Sequence, residues 1–173
     1  MKTSTKQMMD LQEGKEKFIA TWGEVGSNWG INRTMAQVHA LLLISNDLLS
    51  AENIMEDLQI SRGNANMNIR ALIDWGLVYK KHKPGERKEF FLAEKDMGEV
   101  IKKVIVQRKK KELEPMIKTL DEIAAVEGLC EKSEAFCKVV HDITLFSNKA
   151  NKTLDQLIRS DSNWFLSTFF KMI

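Results

Sequence analysis

Asn64, Met67 and Arg70 recur at three-residue spacing, which on a helix sets an amide, a thioether and a guanidinium on one arc. Gly63 and Ala71 share that arc, and Met67 is its only large apolar side chain. Such an arc carries the chemistry of base recognition. An Asn amide pairs bidentately with adenine, an Arg guanidinium pairs with guanine, and Met67 or Ala71 suits a thymine methyl. Ala65, Ile69, Leu72 and Ile73 fall on the other side and are expected to pack on a core. Gly63 is costly inside a helix, but near its start it lets the backbone approach a phosphate, where unpaired N–H groups attract anions. Taken alone, the arc reads equally well as a solvated polar helix face.

The neighbouring segments supply the elements that such an arc needs. Ser50 suits a helix N-cap, with Leu49 and Ile54 at the two staple positions, so a short helix is expected from about Ala51 to Leu58. A tight turn at Gln59 and Ile60 follows, and Ser61 repeats the capping grammar. Two abutting short helices form a helix-turn-helix, whose second helix lies in the major groove. After Trp75-Gly76, the run Leu77 to Lys83 reads as a strand, Pro84 to Arg87 as a turn, and Lys88 to Leu92 as a second strand. From Ser61 to Lys88 there are seven Lys or Arg against two Asp or Glu, in a chain of net charge +2. A basic hairpin in this position is a wing suited to phosphates. Ser61, Arg62 and Asn64 are expected to anchor and read DNA at the helix start. Asn66, Met67, Asn68 and Arg70 would add groove or phosphate contacts, and Lys80, Lys81, Lys83, Arg87 and Lys88 would hold the wing on the backbone.

Upstream, Lys15 to Trp22 reads as a helix whose periodicity is interrupted by Gly23, Gly26 and Gly30. A second helix is expected from Asn32 or Arg33 through Ile44, burying Met35, Val38, His39 and Leu42. Downstream, Lys95 to about Val126 is strongly helical, about 45 Å long at the α-helical rise, with Pro115 forcing a kink or a restart. Lys102 to Lys111 holds six basic and no acidic residues, and Glu112 to Glu134 holds seven acidic and two basic ones. The first block faces DNA, faces a partner's acidic block, or is a solvated surface with local salt bridges. A further helix is expected from about Glu131 to Ser147, followed by the aromatic cluster Trp164 to Phe170. The expected fold is mainly α: a winged helix-turn-helix with a small β-hairpin wing (residues 1–94) and long C-terminal dimerisation helices (residues 95–173).

Several classes have little support. At 43% hydrophobic and 29% charged residues the composition is that of a globular protein, and Leu41 to Ile44 is too short an apolar run to span a bilayer. Met1 to Asp10 lacks the apolar core of a signal peptide, so a cytoplasmic protein with no membrane association is expected. Neither CxxC nor HExxH occurs, and His39, His82 and His141 are scattered, so neither metal nor cofactor is expected. The glycines from Gly23 to Gly30 do not match a phosphate-binding loop. Cys130 and Cys137 are seven residues apart in a helical region, too far for a disulfide within one helix, and are expected to be buried reduced thiols. No nucleophile, base and orienting group share a motif, so no catalytic residue is assigned.

These residues carry a family resemblance. The runs Thr21 to Leu43, Leu49 to Glu52, Ile60 to Asn64, Leu72 to Val78 and His82 to Arg87 together resemble the GbsR-type branch of the MarR-like winged-helix transcription regulators. The resemblance implies a homodimer held by N- and C-terminal helices, with the recognition helix and wing on double-stranded operator DNA. It also implies a repressor tuned by a small choline-like ligand, for which Trp22, Trp29 and Tyr79 are candidate aromatic contacts; core and hinge packing is the better-supported role for the same three rings. The alternative is a winged helix used for protein association, without specific DNA binding.

Overall fold

The computed structural model describes residues 10–125 and 133–160, and the chain divides into two compact units, Met1–Lys95 and Asp96–Ile173. In the first unit the order is α1 (Leu11–Asn28), α2 (Arg33–Ile44), β1 (Leu49–Ser50), α3 (Ala51–Leu58), α4 (Arg62–Asp74), β2 (Val78–Lys81) and β3 (Phe90–Ala93). Helix α1 starts earlier than expected because Asp10 caps it, its carboxylate accepting from Glu13 N at 2.8 Å.

Gly23 and Gly26 do not interrupt α1. Both are buried in its interior, where a Cβ on Gly26 would lie 2.6 Å from Ala36 Cβ and one on Gly23 would lie 2.8 Å from Gln37 Cγ. Their lack of a side chain lets α1 lie closely on α2. Gly30 is the residue that stops the helix: at φ +74° it takes the left-handed conformation, with Gly30 N donating to Ser27 O and Ile31 N to Gly26 O.

Helix α2 runs as expected, with Asn32 Oδ1 accepting from Met35 N at 3.0 Å. It forms the centre of the core, burying Met35, Ala36, Val38, Ala40, Leu41 and Leu42. Ile54 of α3, Ala65, Ile69 and Leu72 of α4, and Val78, Phe90 and Phe91 of the sheet are buried as well. Each large apolar side chain removed from water in this way contributes roughly 1.5–3 kcal/mol before conformational entropy is counted. At the C-terminus of α2 the Lys95 ammonium donates to Leu42 O (2.9 Å), Leu43 O (2.6 Å) and Ser45 O (2.8 Å). A cation thereby satisfies carbonyls that a helix end leaves unpaired.

The strands form an antiparallel sheet in the order β1-β3-β2, with Leu49 opposite Phe91 and Lys80 opposite Phe91 on the other side. The sequence predicts two strands, and β1 adds a third. At two residues it is too short to carry a period-2 pattern. Ser50 serves both elements, pairing with Phe90 in the sheet and forming a reciprocal capping box with Asn53 at the start of α3.

The second unit comprises α5 (Met97–Arg108), a π-helical segment (Lys109–Leu113), α6 (Glu114–Ala124) and α7 (Glu134–Arg159). The distortion expected at Pro115 lies upstream of it. Pro115 stands in the first turn of α6, where its missing N–H is tolerated, and Glu114 N reaches back to Lys109 O. Lys109 bridges Glu114 (2.9 Å) and Asp155 (3.1 Å), and the hydrogen bond to Glu114, supported by Asp155, holds its pKa above the usual lysine value. Lys102 is buried against Glu99 and Ser160 O, and Arg108 pairs with Glu112. Much of the basic block is therefore engaged in local ion pairs.

Helix α7 continues well past the expected end at Ser147, because Leu154, Leu157 and Ile158 extend its apolar periodicity through the polar stretch after Phe146. Val140 and Leu157 are buried, but Phe136, Val139, Ile143, Leu145 and Phe146 are exposed. The expectation of reduced thiols is overturned at Cys137, which is disulfide-bonded. Cys130 and the Trp164 to Phe170 cluster lie outside the described residues.

Candidate nucleic-acid interface

Helix α4 is fixed at its N-terminus by Ser61, whose hydroxyl accepts from Asn64 N at 3.3 Å. The turn that delivers it is made by Gln59, left-handed at φ 52°, with Ile60 N donating to Met55 O. Ala65, Ile69 and Leu72 face the core, as the sequence pattern predicts, while Ile73 is only half-buried. Ser61, Arg62, Gly63, Met67 and Arg70 are exposed, and Asn64, Asn66 and Ala71 are half-buried. Met67 leaves 57% of its surface in water, an unusual position for a large apolar side chain with nothing to cover. No neighbour lies within 4 Å of where a Cβ on Gly63 would stand, so packing within the chain does not demand glycine there.

Asn68 departs from the expectation of a groove contact. It is 2% exposed, and its Nδ2 donates both to Asn64 O (2.8 Å) and to Asn64 Oδ1 (2.7 Å). The reason is angular: at 100° per residue Asn68 falls between Asn64 and the buried Leu72, on the edge of the core face. The asparagine pair at i and i+4 is visible in the sequence, but a polar residue on the buried side carries no separate mark.

Arg62 lies 3.6 Å from Glu52 at the start of α3. Hydrogen bonding to backbone N–H and to the Ser50 hydroxyl holds the Glu52 carboxyl below its usual pKa, with Arg62 as a lesser cause. Both side chains are largely exposed, so this pair adds little stability and restrains Arg62 only weakly.

The wing is a mixed surface. Gly85, at φ +82°, forms the turn, and Glu86 N donates to Lys83 O. Lys80 pairs with Glu89, and Lys88 lies 3.5 Å from Glu86. Lys83 stands 4.3 Å from the centre of the Phe90 ring and Lys88 stands 5.6 Å from it, so both cations are held by a buried aromatic at the hairpin's root. Lys81 and Arg87 are exposed. Helix α4 and the hairpin that follows it therefore present cations from two adjoining elements of one unit.

The candidate ligand-binding aromatics have separate settings. Trp22 stacks on Phe18 at 5.5 Å and lies 6.2 Å from the His39 ring. Tyr79 donates its hydroxyl to Glu94 at 2.6 Å, and Trp29 forms the C-cap of α1 with 57% of its surface exposed. His39 itself is 4% exposed, and burial, reinforced by the Lys95 charge, lowers its pKa to about 4. Its Nε2 has no hydrogen-bond partner among the described residues. Among the described residues no group of three or more His, Cys, Asp or Glu is arranged to hold a metal, and no helix is long and apolar enough to cross a membrane.

No protein-family model matches the chain. Over 147 residues it is 22% identical to the HTH-type transcriptional repressor GbsR of Bacillus subtilis (strain 168), covering 85% of this chain and 78% of that protein. A solved structure described as a transcriptional regulator superposes with a TM-score of 0.65 at 14% identity, covering 84% of this chain and 95% of that one. The chain is thus similar to the GbsR repressor along most of its length, and it shares its mainly α winged-helix fold with the solved structure described as a transcriptional regulator.

Proposed function

We propose that this protein is a dimeric, sequence-specific DNA-binding repressor acting in the cytoplasm, with α4 in the major groove and the β2–β3 hairpin on the flanking backbone. The observation that carries this reading is the exposed arc of Gly63, Met67 and Arg70 on a capped helix, followed directly by a hairpin with exposed Lys81 and Arg87. Helix N-terminal residues reach base edges in this docking, and the cations supply the sequence-independent part of the affinity. Two copies are needed to read two half-sites, and the exposed apolar side chains of α7 support pairing through the second unit. A choline-like effector is the finer part of the reading, with exposed Trp29 the strongest of the three candidate contacts.

The test is selection from a random double-stranded DNA library, followed by titration of the selected site across a range of salt. The expected result is an inverted-repeat site, an affinity that falls steeply with salt, and a dimer in sedimentation. A folded dimer with no salt-sensitive DNA binding would instead identify a protein-association module. Addition of choline to the bound complex tests the effector, with release from DNA expected.

A further inference from the structure

The exposed arc of α4 has a hydrogen-bonding polarity set from below. Asn68 is buried at 2% exposure, and its Nδ2 lies 2.8 Å from Asn64 O, a backbone carbonyl that can only accept. That contact fixes which end of the Asn68 amide is nitrogen. The same Nδ2 lies 2.7 Å from the Asn64 side chain, so the Asn64 atom facing it must be the acceptor, Oδ1. An amide whose oxygen is drawn toward a buried donor carries its nitrogen on the opposite branch. Asn64 occupies the third position of α4, with its own N–H donating to Ser61 Oγ, so neither backbone nor side chain is loose.

We infer that Asn68 is a positioning residue which locks Asn64 with its amino group outward, so that Asn64 selects the keto oxygens of guanine or thymine over the amino groups of adenine or cytosine. The inference rests on the DNA-binding reading proposed above. A freely rotating Asn makes the bidentate adenine pair, using oxygen and nitrogen together. With Oδ1 held by Asn68, the outward hydrogens meet guanine O6 and N7 or thymine O4 favourably; adenine offers them only N7, and its N6 amino group, like the amino group of cytosine, meets them donor to donor.

The experiment compares library selection by the full chain with selection by three variants, each checked for folding by circular dichroism and thermal melting. The wild type is expected to prefer G or T at one position of each half-site by roughly tenfold, within the range of a single base contact. Asn64→Ala should flatten that position. Asn64→Asp keeps an oxygen for Asn68 to bond and turns a second acceptor outward, so its preference should invert to C or A. The acidic side chain is tolerated in the first turn of a helix, so this variant keeps the inference testable even if removing Asn68 disturbs the core. Asn68→Ala should admit adenine at the same position while leaving the remainder of the site unchanged. Selection of adenine by the wild type at the Asn64-dependent position would overturn the inference and leave the DNA-binding reading intact, as would an unchanged preference in Asn64→Asp. Absence of any DNA binding by the folded wild type would overturn both.

Discussion

Ala36 Cβ occupies the space that a side chain on Gly26 would need: a Cβ there would lie only 2.6 Å away. Both atoms are fixed to helical backbone, so neither can rotate out of the contact. Replacing Gly26 with Ala gains about 1 kcal/mol of helix propensity but must push α1 off α2. Overpacking of this kind costs roughly 1–3 kcal/mol, and more where backbone must move. Because both atoms are fixed to backbone, the cost falls at the upper end of that range, and Gly26→Ala is expected to lower stability by about 2 kcal/mol net, read as a lower midpoint in urea. An unchanged or raised midpoint would show that the two helices are not in this contact.

Gly63 makes the opposite prediction. A side-chain carbon added there would meet no neighbour within 4 Å, and the residue sits in the first turn of α4. Gly63→Ala should raise stability by about 0.5 kcal/mol, by restricting the unfolded chain. If the bare backbone is there to approach a phosphate, the same variant should bind DNA several-fold more weakly. A stabilised variant with undiminished affinity would remove Gly63 from the interface.

His39 gives a pH dependence whose sign follows from burial. Its pKa is about 4 in the folded chain and about 6.5 when exposed. Between those values the unfolded chain binds a proton that the native chain does not, so stability rises with pH across the window and is fully present above about 6.5. Acidification from pH 7 to pH 4 should cost about 3 kcal/mol through this group. His39→Gln should melt with a flatter pH profile over that range. Equal slopes for wild type and variant would place the acid sensitivity elsewhere.

Lys95 acts on the same helix in two ways. Its ammonium bonds three carbonyls at the end of α2, and its charge is the lesser cause of the low His39 pKa, after burial. Lys95→Met should destabilise the first unit by about 1 kcal/mol, the scale of a lost charge-to-helix-end interaction. It should also move the His39 titration upward in an NMR experiment, without restoring the exposed value, because burial remains. A His39 pKa that stays put would separate the two residues electrostatically.

The legible parts of this fold are those with dense local grammar. Ser50 and Ser61 mark the starts of α3 and α4 to the residue, and Pro84-Gly85 marks the wing, because caps and turns are short-range physics. What escapes the sequence depends on partners distant along the chain. Gly23 and Gly26 read as breakers because only α2, lying against them, shows why they are small. Strand β1 exists through pairing with β3, far along the chain, and two residues carry no pattern of their own. At the site, Arg70 and Met67 are legible from helical angle alone. Asn68 reads as outward because asparagine is usually exposed, but its helical angle puts it beside buried Leu72, and its bonds to Asn64 satisfy the buried amide.

In the proposed docking, Arg70 reads and Lys83 holds. Arg70 is exposed on the outer arc of α4, six residues after Asn64, where a guanidinium is suited to guanine O6 and N7. Lys83 is on the wing, half-buried, with its ammonium 4.3 Å from the Phe90 ring centre. Arg70→Ala is expected to relax base preference at one position by about 1–3 kcal/mol, with the salt dependence also slightly reduced. Lys83→Ala should weaken binding to selected and random DNA alike, and reduce the slope of log affinity against log salt by about 0.9, the value for one phosphate contact. Because Lys83 also packs on Phe90, the variant should lose about 0.5–1 kcal/mol of stability, so affinities must be compared well below its melting temperature. If Lys83→Ala lost only stability and left the salt slope unchanged, the lysine would be a brace for the hairpin, and the phosphate contacts of the wing would fall to Lys81 and Arg87.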